Sequence, residues 1–109
     1  MHPGGDLVLK AVSRTISSLL RAHDLFGRFG GEEFGILFYA PTRCEALGGA
    51  ERVRRAVEAM DAPDCSPVPI SIGLAAVEHD RSLDDTLTHA DAALYAAKRE
   101  GRNRCVTAD

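Results

Sequence analysis

Gly30 and Gly31 are followed at once by Glu32 and Glu33. Two carboxylates side by side repel each other, and a cation or hydrogen bonds must offset that repulsion. Hard oxygen donors of this kind suit Mg²⁺, which completes its shell with water and phosphate oxygens. The glycines allow positive φ and let a bulky ligand approach the backbone closely. The same four residues also fit an ordinary solvated acidic turn. A second constellation is Lys98 with Arg102, four residues apart. An ammonium and a guanidinium fork on one face converge on an anion such as a triphosphate tail, although cations near a helix C-terminus are favoured by the macrodipole alone. A third is Arg21 with Asp24. Arginine binds phosphate or guanine edges bidentately and a carboxylate accepts from guanine donors, so the pair suits a guanine nucleotide; it equally suits a surface ion pair.

The elements that must position these groups follow from hydrophobic spacing. Asp6 is placed to cap a helix in which Leu9, Val12, Ile16, Leu19 and Leu20 recur at helical intervals, ending before Asp24. Two short apolar runs, 24–29 and 34–39, flank the acidic tetrad and predict a β-hairpin with the carboxylates at its turn. After Pro41 and Thr42, the positions Ala46, Ala50, Val53, Val57 and Met60 draw an apolar stripe on a second helix, with Arg52, Arg54, Arg55 and Glu58 on the opposite face. Two prolines within 61–67 break that helix, and Val68, Ile70, Ile72, Leu74 and Ala76 alternate as a strand. Ser82, with Asp85 three residues on, opens a third helix carrying Leu83, Leu87, Ala90, Leu94 and Ala97, and Gly101 stops it. Residues 104–107 add a short edge strand. The order predicts an α/β fold of the α+β sandwich type, with helices packed on a mixed central sheet.

Bulk properties narrow the function. A chain of 109 residues forms one domain, and 45% hydrophobic with 27% charged residues is the balance of a packed globular protein. A net charge of −3 excludes a broad basic footprint for a nucleic-acid duplex, so any phosphate ligand is held locally. Cys44, Cys65 and Cys105 are odd in number and far apart, which reads as reduced thiols in a cytoplasmic setting. No apolar run approaches the roughly 20 residues that span a bilayer, so this segment is expected to make no membrane contact, and its start lacks the arms of a signal peptide.

The string Arg28-Phe29-Gly30-Gly31-Glu32-Glu33-Phe34 resembles the signature of the GGDEF family, the bacterial enzymes that condense two GTP into cyclic di-GMP. Four further segments fall into register with it. Residues 5–9 resemble the family's GDxxL segment, residues 69–73 its (V/I)S(I/V)G strand, residues 90–98 its ADxALYxAK helix, and residues 101–103 its GRN turn. Jointly these matches, in order across nearly the whole chain, are far more specific than any one of them. The resemblance implies a palm-like nucleotide-cyclase fold and a head-to-head homodimer in which each subunit holds one GTP. It implies Mg²⁺ (or Mn²⁺) held by Glu32, which is also the candidate base, with Glu33 supporting and Gly30 and Gly31 lying against the nucleotide. By the same carry-over Asp6 binds guanine and Lys98 and Arg102 take the β- and γ-phosphates. Arg21 and Asp24 match the family's RxxD inhibitory site for cyclic di-GMP, with Arg52 as its second arginine.

The resemblance also marks a departure. The family's first helix and its first strand, with a metal-binding Asp, precede the GDxxL segment, and neither stands in these 109 residues. The expectation is therefore a partial GGDEF domain over 1–109, weak in Mg²⁺ binding and impaired in turnover, with unpaired sheet edges that invite strand exchange. Two other readings are carried forward: an inactive cyclic di-GMP receptor acting through Arg21, Asp24 and Arg52, and a palm-type nucleotidyl cyclase of another specificity.

Overall fold

The computed structural model describes residues 3–22, 24–30, 33–60 and 68–108, with side chains at 7–22, 24–27, 33–60 and 68–108. Its elements run α1 (Pro3–Leu19), β1 (Leu25–Gly30), β2 (Glu33–Leu37), α2 (Arg43–Ala59), β3 (Ile72–Leu74), α3 (Leu83–Arg99) and β4 (Cys105–Thr107). The helix–hairpin–helix–strand–helix–strand order is the one that the hydrophobic spacing predicts.

The boundaries differ instructively. Helix α1 begins at Pro3, so Asp6 lies inside the helix and is not its cap. Proline suits the first helical position, because its fixed φ is helical and its missing N–H would have no partner there. The expected strand over 68–76 shrinks to Ile72–Leu74. Val68 and Ile70 still pack against the core, but ladder pairing among the described residues reaches only the three positions facing β4.

The described strands form two separate two-stranded sheets. Strands β1 and β2 pair antiparallel, with Phe26 opposite Ile36 and Gly30 opposite Glu33, and the register shifts between Arg28 and Gly30. Strands β3 and β4 pair parallel, Gly73 opposite Val106. Both strand orientations of the expected mixed sheet are thus present, divided between two small sheets with helices packed on them.

Val12 and Ile16 of α1 and Val57 of α2 are buried together, and Phe26, Phe34 and Ile36 of the hairpin pack against them. The Phe26 and Phe34 rings stack at 5.5 Å between centroids, a separation at which aromatic pairs attract beyond their buried area. This cluster anchors the hairpin that carries the acidic tetrad. A second layer sets α3 on β3, with Ala93 and Ala97 buried. Small residues on that face let helix and strand approach closely, and this places the C-terminal end of α3 beside β4. Thr42 caps α2 by accepting from Glu45 N–H, and Ser82 caps α3 by accepting from Asp85 N–H, each satisfying a donor that the first helical turn leaves open.

Candidate functional site

The hairpin brings Gly30 and Glu33 opposite each other across a two-residue connection. Glu33 is the first residue of β2 and is exposed. Glu32 and Gly31 fall outside the described residues, as does the side chain of Asp6. The expected acidic turn therefore has a fixed frame on both sides: a strand ending at Gly30 and a strand beginning at Glu33, both held by the aromatic contact beneath. Among the described residues no three His, Cys, Asp or Glu side chains converge.

Lys98 sits in the last turn of α3 and Arg102 lies beyond its end, both exposed. They do not share one helical face. Gly101 takes φ 121°, Arg102 63° and Asn103 47°, so the chain reverses in a left-handed turn. The Arg102 N–H donates to the Ala97 carbonyl at 2.9 Å, the six-to-one bond of a Schellman motif with Gly101 at C′. Thus the cap, and not helical periodicity, fixes where Arg102 stands relative to Lys98.

Arg21 and Asp24 are brought together. The Arg21 N–H donates to Asp24 Oδ2 at 2.8 Å, and its Nε lies 3.6 Å from the same oxygen. Arg21 Nη2 also donates to the Tyr39 carbonyl at 2.7 Å. The Asp24 side chain is 7% exposed and that of Arg21 64%: the carboxylate is committed to the turn, while much of the guanidinium faces solvent. Arg52 is exposed on α2 and lines a shallow groove with Cys44, Leu47, Gly48, Glu51 and Arg55. Among the described residues no hydrogen bond or ion pair joins Arg52 to Arg21 or Asp24.

One cluster escaped the sequence reading. Arg54, assigned above to a solvated face, has only 13% of its side chain exposed. Its Nε and Nη2 donate to the two Glu51 oxygens at 3.0 and 2.9 Å, and its Nη1 donates to Asn103 Oδ1 at 2.8 Å. Asn103 Nδ2 donates in turn to Glu58. The hydrogen bonds from Arg54, followed by one from the Cys105 thiol, hold the Glu51 carboxyl down at about 2, and the bond to Glu51 raises Arg54. Burial first, and Glu51 second, push Cys105 up to about 12. The Glu51 and Arg54 spacing is a visible i,i+3 signal; Asn103, which lies 49 residues away, carries none.

A lowered carboxyl stabilises the fold above its unfolded value and loses that contribution as pH falls through the folded one. Glu51 should therefore contribute fully above pH 4.5 and progressively less down to about 2. Glu51→Gln is expected to remove about 1 kcal/mol at neutral pH, as for other partly solvated pairs, and nothing near pH 2. Urea midpoints of wild type and variant at both ends of that window check it; a constant gap would refute the pairing.

The chain is an α/β domain with an exposed carboxylate, Glu33, at its hairpin end and two exposed cations, Lys98 and Arg102, at the end of its last helix. Comparison makes this specific. The family described as "Diguanylate cyclase, GGDEF domain" matches residues 2–104, and the chain belongs to that family. It is 40% identical over 107 residues to diguanylate cyclase DgcM of Escherichia coli K12, covering 98% of this chain and 26% of that protein. It is 38% identical to diguanylate cyclase A of Treponema denticola, covering 94% of this chain and 29% of that protein. The chain thus spans between a quarter and a third of the length of these relatives. Among solved structures, the active GGEEF domain of a Vibrio cholerae diguanylate cyclase superposes with a TM-score of 0.87 at 31% identity, over 99% of this chain and 70% of that one. The GGDEF domain of DgcB from Caulobacter crescentus, in complex with c-di-GMP, gives 0.89 at 31% identity, over 98% and 66%.

Proposed function

We propose that this chain is the nucleotide-condensing part of a diguanylate cyclase, joining two GTP molecules into cyclic di-GMP. The observation that carries the reading is the 40% identity to a diguanylate cyclase over 98% of the chain, with Gly30 and Glu33 paired across an antiparallel hairpin. In each of two equivalent steps the ribose 3′-oxygen of one GTP bonds to the α-phosphorus of the other. The α–β bridging P–O bond breaks, and its electron pair leaves with pyrophosphate. The hydroxyl proton passes to a base, for which Glu32 is the candidate.

The donor chemistry fits a hard divalent ion: Glu33 offers an exposed carboxylate at the hairpin end, next in sequence to Glu32, and oxygen donors suit Mg²⁺ or Mn²⁺. Glu32 would hold the ion with Glu33 in support, and when bound it stabilises charge developing on the phosphate oxygens. Gly30 and Gly31 leave room for the nucleotide, Asp6 takes the guanine, and Lys98 and Arg102 take the β- and γ-phosphates. Because two GTP molecules must meet head to head, the working unit is a homodimer of two half-sites. Arg21, Asp24 and Arg52 form a product site at which cyclic di-GMP restrains the enzyme; the solvent-facing Arg21 guanidinium supports this. GTP as substrate and the free thiols of the two described cysteines, Cys44 and Cys105, suit the cytoplasm. No described helix is long and apolar enough to cross a membrane.

Incubating the full-length protein with GTP and Mg²⁺ is expected to yield one cyclic di-GMP and two pyrophosphates per two GTP, resolved by chromatography. These 109 residues alone, which cover 70% and 66% of the two solved domains, are expected to turn over more slowly. Another nucleotide product, or none from the full-length protein, would overturn the reading.

A further inference from the structure

The left-handed turn after α3 contains two residues that are not glycine, Arg102 and Asn103. L-residues adopt this region only when surroundings over-determine it. Beside the short-range bond from Arg104 Nε to the Arg102 carbonyl, three contacts do so. The Arg102 N–H is held by the Ala97 carbonyl, and the Arg104 carbonyl is held by Ile72 N–H at 2.9 Å. The third comes from a different layer: Asn103 accepts from Arg54 Nη1 and donates to Glu58, both on α2.

Arg54 is well built for such a purpose. Its guanidinium forks onto the Glu51 carboxylate and spends its remaining arm on Asn103. Each of its three guanidinium nitrogens makes a hydrogen bond and only 13% of the side chain is exposed, so little of it faces a nucleotide. The Lys98 and Arg102 side chains, by contrast, are exposed and make no hydrogen bond or ion pair among the described residues, although the Arg102 carbonyl accepts from Arg104 Nε at 3.1 Å. The turn that carries Arg102 is therefore tied to Arg54 of α2 through the side-chain amide of the next residue, Asn103.

We propose that Arg54 is a positioning residue for the phosphate-binding turn, holding Asn103 in its left-handed conformation and so fixing where Arg102 stands relative to Lys98 when the two receive a triphosphate tail. The inference rests on the reading of Lys98 and Arg102 as β- and γ-phosphate ligands. Its signature is selective. The arrangement fixes the phosphate end of the site and leaves the guanine end alone, so loss of the contact weakens binding of a triphosphate and spares a monophosphate.

Calorimetry on the full-length protein with Mg²⁺ tests this, using the α,β-methylene analogue of GTP, which resists displacement, and GMP as probes. Arg54→Met and Asn103→Ala are each expected to weaken the analogue about tenfold, since a mispositioned ligand loses much of a charge-assisted contact, with GMP affinity unchanged. Asn103→Gly keeps the backbone conformation accessible without the amide and is expected to behave like Asn103→Ala. Arg54→Lys retains charge but not the fork, which guards against loss of folding, and is expected to fall between. The double variant Arg54→Met/Asn103→Ala is expected to lose no more than either single one, because both remove one contact. Equal losses for the analogue and GMP, or additive losses, would assign Arg54 a purely structural role and overturn the proposal. Lys98→Ala and Arg102→Ala are read in parallel. If they weaken the analogue while the Arg54 and Asn103 variants do not, the positioning inference alone falls. If they leave it unchanged, the phosphate assignment beneath it falls.

Discussion

Gly73→Ala is expected to destabilise the domain by about 3 kcal/mol, the upper range for forcing an extra methyl into a packed site. A Cβ at this position would lie 2.2 Å from the Ala90 carbonyl oxygen, 2.3 Å from Leu94 N and 2.8 Å from Leu94 Cα. All three are backbone atoms of α3, and no rotamer change relieves them. Strand β3 or helix α3 must shift bodily, and the shift propagates to β4, which pairs with β3, and to the turn that carries Arg102. A domain of this size loses roughly 4–8 °C in Tm per kcal/mol, so thermal unfolding followed by circular dichroism resolves the effect easily. Gly48→Ala serves as the control. It lies within α2 with nothing within 4 Å of the added methyl, and it is expected to stabilise by about 0.5–1 kcal/mol because alanine loses less backbone entropy in a helix. A variant at Gly73 as stable as wild type would mean that α3 does not sit on β3 as described.

Glu32→Gln is expected to lower cyclic di-GMP formation by the full-length protein at least ~100-fold, the scale of loss when a charged group acting directly on a reacting centre is removed. Glutamine keeps the volume and removes the charge. It can neither accept the hydroxyl proton nor balance a divalent ion. The fold is expected not to register the change, because glutamine matches glutamate in size and the core cluster of Val12, Ile16 and Val57 comes from α1 and α2. Glu33→Gln, at the first residue of β2 and in a supporting position, is expected to cost less. Chromatographic product assays, with thermal melts in parallel, separate chemistry from stability. Turnover of Glu32→Gln within about threefold of wild type would remove Glu32 from the reaction.

Much of the architecture is legible in local spacing. The stripe of Ala46, Ala50, Val53, Val57 and Met60 faces the core of α2 as read, Ala50 and Val57 becoming buried. Ser82 and Gly101 start and stop α3 where their cap chemistry dictates. The hairpin and the short strand after Gly101 follow likewise. In each case the determining interaction spans a few residues, so the sequence window contains both partners. Where the reading failed, the deciding partner was distant or the rule was local but different: Pro3 claimed the start of α1 from Asp6, and β3 kept only the length that β4 pairs.

The candidate site divides in the same way. The glycine and glutamate turn, Lys98 with Arg102 at the end of α3, and Arg21 with Asp24 are all contained in short segments, and the family resemblance singled them out as candidates from residue type and order. The conformation of Arg102 was not so contained. An i,i+4 spacing suggested one helical face, whereas the Schellman cap turned the chain out of the helix before Arg102 was reached.

The sequence by itself determined the helices, the hairpin and the order of the family's segments, because caps, glycines and apolar periodicity act between near neighbours. Only the tertiary structure decided that Arg54 leaves the solvated face to grip Asn103, and that Gly73 is pressed against the backbone of α3. Both depend on which distant segments chain closure and core packing bring within bonding distance, and no periodicity along the chain encodes that meeting.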